Sequence, residues 1–161
     1  MAHVVVMGVT GCGKSTVGAA LAARLDVPFA DADEFHSAAN VAKMSAGVPL
    51  DDTDRWPWLR AIGEWLAARD GVVSCSALRR AHRDALREQA PDAFFVHLHG
   101  DRETVRRRVA GRAGHFMPAS LVDSQFAALE PLGADERGVT LDLSLPIDDL
   151  VAAAARSISD G

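Results

Sequence analysis

The short β-branched run His3–Met7 (HVVVM) breaks directly into GVTGCGKS at residues 8–15. That octet fits G-x-x-x-x-G-K-[ST], with Gly8, Gly13, Lys14 and Ser15 in the required places. A buried strand must end at Met7 and a helix must open at Lys14, running to about Leu25. Between them, glycines let backbone N–H groups turn inward around an anion, at a helix end whose partial charge is already positive. Gly11, Cys12, Gly13, Lys14, Ser15 and Thr16 are the expected cradle for nucleotide phosphates. Lys14 supplies a mobile cation for the transferred phosphoryl group and Ser15 a hydroxyl for Mg²⁺. The chain has only two lysines, Lys14 and Lys43, among 17 basic residues, which marks both as chosen over arginine. Cys12 reads as a small loop residue rather than a nucleophile.

Further strands are expected at Phe29–Asp33, Val72–Ser76, Phe94–His99 and Val139–Leu143. Helical segments fall between them, at about Asn40–Ala46, Thr53–Arg69, Arg79–Gln89, Arg102–Arg112, Ala119–Leu129 and Ile147–Ile158. Alternation of this kind implies βαβ units: a doubly wound α/β fold of about five parallel strands, with helices on both faces. The 161 residues suit one domain, 1–161, with a core large enough to need no disulfide or structural metal. Twenty-nine alanines account for much of the 48% hydrophobic fraction and favour helix. Cys12 and Cys75 lack zinc-site spacing, and the chain opens on no signal-like or membrane-spanning run, so a cytoplasmic protein is expected. A net charge of −5 argues against nucleic acid or an anionic membrane as partner.

The single asparagine, Asn40, is followed by Val41, so the N-K-x-D motif of guanine-specific switches is absent. Asp31 and Asp33 end the second expected strand. Residues two apart on a strand share a face, so both carboxylates can look toward the phosphate loop. One suits Mg²⁺ and the other suits orienting and deprotonating an alcohol.

From Asp33 to Leu59 the chain reads DEFHSAANVAKMSAGVPLDDTDRWPWL. It resembles the gluconate kinase family of small P-loop kinases, related to shikimate and adenylate kinases. The resemblance is carried by Asp33, His36, Asn40, Lys43, Met44, Gly47, Pro49, Leu50, Asp52, Asp54, Arg55, Pro57, Trp58 and Leu59. Two more blocks agree: CSALRRAHRDALR at 75–87, and Gly114–Phe116 followed by Gln125-Phe126 and GADE at 133–136. The resemblance implies an ATP- and Mg²⁺-dependent enzyme that phosphorylates the terminal hydroxyl of D-gluconate, and a homodimer. Asp33 is the implied base, Lys14 and Arg108 the charge stabilisers, and Ser15 and Asp31 the Mg²⁺ side.

Gluconate is a polyol carboxylate, which calls for a guanidinium and several hydroxyl partners. Arg55 and Arg79 suit the carboxylate, and His36, Lys43 and His115 the hydroxyls. Arg55 has a competing role in a salt bridge with Asp52 or Asp54, and spacing does not separate Arg79 from Arg80 or Arg83. Trp56, Trp58 and Trp65 are assigned to packing of their helix, with Pro57 in its first turn. Arg108 and Arg112 lie one helical turn apart before the irregular stretch Gly111–Pro118, and in related kinases arginines here close over ATP. A lid is expected over about 108–130, Arg106 and Arg107 are expected on a solvated helix face, and DLSLP at 142–146 is a weak candidate for the adenine side. Residues 79–112 hold nine basic and five acidic side chains, which places the positive charge where two anions must meet. Two alternatives remain: a related kinase acting on shikimate or another sugar acid, and a nucleotide-binding regulatory module without turnover.

Overall fold

The computed structural model describes residues 2–48, 50–110 and 119–160. β1 (His3–Met7) is buried along its whole length because it is the middle strand of five. It lies parallel to β2 (Phe29–Asp31), β3 (Gly71–Ser74), β4 (Phe94–His99) and β5 (Gly138–Asp142) in the order β2-β3-β1-β4-β5. The helices are α1 (Lys14–Leu25), α2 (Ala38–Ser45), α3 (Asp52–Ala67), α4 (Arg80–Gln89), α5 (Arg102–Ala110), α6 (Ala119–Ala128) and α7 (Ile147–Asp160).

Successive residues of β1 feed two different cores, as the two-residue strand period requires. Val4 and Val6 join Val17 and Leu21 of α1, Val105 of α5, and Leu150 and Ala154 of α7. Val5 and Met7 join Leu59, Ile62 and Leu66 of α3 and Leu86 of α4. Helices therefore cover both faces, and the doubly wound arrangement is as expected. After β1 the chain departs through α1 toward β2, and after the adjacent β4 it departs through α5 and α6 toward β5. That divergence opens a crevice at the carboxyl ends of β1 and β4, where ligands of open α/β sheets bind.

Two local expectations need correction. The second strand stops at Asp31, because Asp31 caps a 3-10 turn, Ala32–Phe35: its Oδ1 accepts from the Asp33 N–H at 3.0 Å while Glu34 Oε2 accepts from the Asp31 N–H at 3.0 Å. Asp31 and Asp33 thus do not share a strand face. Pro57 is the sixth residue of α3 rather than in its first turn, because the Asp51/Asp54 capping box starts the helix at Asp52. Among the described residues, no helix is long and apolar enough to cross a membrane.

Candidate active site

The loop after β1 is shaped by glycine where it must be. Gly13 caps α1 in the left-handed region (φ 88°), and a Cβ on Gly11 would meet Val109 Cγ2 at 2.6 Å. The loop is therefore packed directly on α5, the helix that carries Arg108. A Cβ on Gly13 would lie 3.9 Å from Arg108 Nη1, while Arg108 Nη2 donates to the Leu143 carbonyl at 2.8 Å. The guanidinium is thus braced against the β5–α7 loop with its other end at the phosphate cradle. Lys14 makes no ion pair among the described residues. Cys12 is buried, and burial pushes its thiol up, which fits a packing residue and no nucleophile.

Ser15 Oγ donates to Asp31 Oδ2 at 2.7 Å and lies 3.4 Å from Ser74 Oγ at the end of β3. This hard oxygen set suits Mg²⁺, which needs only one or two protein ligands beside phosphate oxygens. Among the described residues no cluster of three metal-ligating side chains exists. Asp33 is 88% exposed, one short turn beyond, with Oδ1 4.0 Å from His36 Nε2.

Much of the block from His36 to Trp58 ties α2 to α3. His36 stacks on Trp58 at 4.4 Å with the rings 10° apart, and Trp58 Nε1 donates to the Ala32 carbonyl at 2.7 Å. Lys43 pairs with Asp54 at 2.7 Å; this bond is the largest cause that holds the Lys43 ammonium above its ordinary range and the Asp54 carboxyl below its own. Asn40 bonds the Asp54 carbonyl at 3.2 Å. Arg55 contacts Asp52 at 3.3 Å and remains partly exposed. The tryptophans divide: Trp58 supports the site, Trp65 packs against Phe35 and Arg69, and Trp56 is 42% exposed with its edge on His82. The expected packing role holds for Trp58 and Trp65, which pack against the core, and not for Trp56, which stands exposed.

The basic stretch 79–112 is mostly committed elsewhere. Arg83 is fully buried and bonds Glu136 at 2.7 and 2.9 Å and the carbonyls of Ala77 and Leu78 at 2.9 and 3.3 Å. Arg87 reaches Glu136 at 3.0 Å, Arg80 pairs with Asp135 at 2.5 Å, and Arg102 and Arg106 pair with Asp123. Arg106 is exposed, as expected of a solvated face, and from there links α5 to α6 through Asp123. Arg79, the exposed residue that opens α4, has no such pair among the described residues. Arg80 and Arg83 are thus engaged with Asp135 and Glu136 respectively. Arg112 and His115 lie outside the described residues, as does Gly111–Pro118.

Sequence reasoning gave no role to Gln125 or Asn40. Gln125 Oε1 accepts from the Thr10 N–H at 2.5 Å, so α6 holds the start of the phosphate loop. Both residues stand within the quoted blocks, but block membership says nothing of the bond each makes. His99, Asp101, Thr104 and the segment 140–144 line a hollow of about 460 Å³.

The family model described as shikimate kinase matches residues 10–137. The thermosensitive gluconokinase of Escherichia coli K12 is 39% identical over 96% of this chain and 86% of its own. The gluconokinase of Gluconobacter oxydans 621H is 47% identical over 82% of this chain and 77% of its own. The chain belongs to the gluconokinase family. A crystal structure of a gluconokinase from Sinorhizobium meliloti 1021 superposes with a TM-score of 0.90 at 47% identity, covering 99% of this chain and 92% of that one. The range matched by the shikimate kinase model takes in the phosphate loop from Thr10 onward and the elements from α1 to α6, while β1, β5 and α7 lie outside it.

Proposed function

We propose that the protein transfers the γ-phosphoryl group of ATP to the terminal hydroxyl of D-gluconate, giving 6-phospho-D-gluconate. The observation that carries this reading is the juxtaposition, around one loop, of the Ser15–Asp31 oxygen pair and the exposed Asp33 carboxylate, in a chain of gluconokinase kinship. The acceptor oxygen forms the new bond to phosphorus, the bond to ADP breaks, and the hydroxyl proton passes to Asp33. Lys14 and Arg108 balance charge on the transferring group, with backbone N–H groups of Gly11 to Thr16 around the β-phosphate. Ser15 and Asp31 would hold Mg²⁺, which would supply neutralisation of the phosphate charge. Arg79 takes the gluconate carboxylate. Arg55, His36, Lys43 and His115 complete the acceptor side, and Arg112 the ATP side.

The segment 108–130 as a lid, a homodimer and a cytoplasmic location belong to the same proposal. Water exclusion by such a lid favours transfer over hydrolysis. The test is the product: ¹³C-labelled gluconate should show phosphorus coupling at its terminal carbon and the carbon next to it and at no others, and coupling at any other carbon contradicts the assignment.

A further inference from the structure

Asn40 is held between two elements. Its Nδ2 donates to the Asp54 carbonyl on α3 at 3.2 Å and lies 3.3 Å from His36 Nδ1. A carbonyl oxygen only accepts, so the Asp54 contact decides which end of the amide stands there. The second hydrogen of the same nitrogen is left for His36, whose Nδ1 must then be an acceptor. In a neutral imidazole the proton is therefore on Nε2. Burial lowers the ring's pKa against the opposing pull of Asp33, so the neutral form holds at pH 7. Stacking on Trp58, itself tied to the Ala32 carbonyl, keeps the ring plane in place.

The 4.0 Å between Nε2 and Asp33 Oδ1 is too long for a hydrogen bond and wide enough for one oxygen to reach both. A hydroxyl there can only accept from His36 and donate to Asp33. We infer that Asn40 is a positioning residue that makes His36 a donor, and that His36 and Asp33 together set the polarity of the acceptor hydroxyl, its proton directed at Asp33. In the other tautomer Nε2 would offer a lone pair, and the hydroxyl could spend its proton on the ring. This inference rests on Asp33 as the base of the proposed reaction.

The test uses ¹⁵N-labelled full-length protein, with a His36→Gln spectrum to assign the ring. Expected in the wild type is a protonated Nε2 and a bare Nδ1; a proton on Nδ1, or a charged ring at pH 7, overturns the inference. Asn40→Asp replaces the donor by an acceptor and should move the proton to Nδ1. Its kcat should fall roughly tenfold or more, part of the ~10²–10⁴ that positioned acid–base groups supply, at unchanged KM for ATP. A moved proton with unchanged kcat overturns the catalytic half. Should Asn40→Asp not fold, His36 variants decide that half: His36→Gln keeps an N–H and should retain more kcat than His36→Leu, and equal losses contradict it. If the wild type phosphorylates no aldonate, the functional reading and the catalytic half fail together, while the ring spectrum still decides the tautomer.

Discussion

The Arg83 guanidinium and the Glu136 carboxylate meet at 2.7 and 2.9 Å with both side chains out of water, 0% and 1% exposed. The pair spans 53 residues and anchors the β3–α4 turn, because Arg83 also bonds the Ala77 and Leu78 carbonyls. That turn delivers Arg79. Removing one partner of a buried pair leaves the other charge unsatisfied, at about 3–5 kcal/mol. Glu136→Ala should lower stability by about this much in urea unfolding, and a loss under about 1 kcal/mol would contradict the role.

The same carboxylate makes stability depend on acid. Burial pushes Glu136 up, but Arg83, the Gly133 N–H and Arg87 outweigh it and hold it at about 2. Its folded value lies below the ordinary 4.5, so its contribution is complete above that pH and disappears as pH falls toward 2. His97 acts earlier: burial, then His99, lower it to about 4 from 6.5. Between those values the unfolded chain binds a proton that the folded one does not, so stability falls as pH drops. Urea midpoints measured from pH 7 to 4 should decline, and His97→Gln should flatten the decline.

Arg79 and Arg80 are neighbours with different predicted phenotypes. Arg79→Ala should raise KM for gluconate by roughly 10- to 100-fold, the weight of a charge-assisted contact, and leave KM for ATP unchanged. Arg80→Ala should change stability slightly and KM for gluconate little, because its partner is the exposed Asp135. Steady-state kinetics on both variants checks this.

Arg108→Ala should lower kcat by about 10²–10³-fold with the fold intact, because it removes a preorganised cation at the transferring phosphoryl group. Asp33→Asn should leave nucleotide affinity close to wild type while kcat falls by about 10²–10⁴. Nucleotide titration beside turnover separates the two variants' effects.

The architecture was legible because β1 and the phosphate loop leave few folds open, and each expected strand lies within two residues of an observed one at either end. The site was legible at its phosphate end, where backbone geometry follows from glycine and lysine spacing. It was less so at the acceptor end. A row of arginines has the same sequence appearance whether a residue binds a ligand or a buried glutamate, and only the fold brings Glu136 to Arg83. Asp31 and Asp33 looked equivalent two residues apart, but a capping box turned one inward to Ser15 and left the other in solvent.

Acceptor-dependent ADP formation tests the central claim most directly. With MgATP and a panel of gluconate, other aldonates and shikimate, the account predicts rapid turnover with D-gluconate, little with shikimate, and loss of the gluconate rate in Asp33→Asn. ATP binding with no acceptor-dependent ADP formation, or a preference for shikimate, would contradict it.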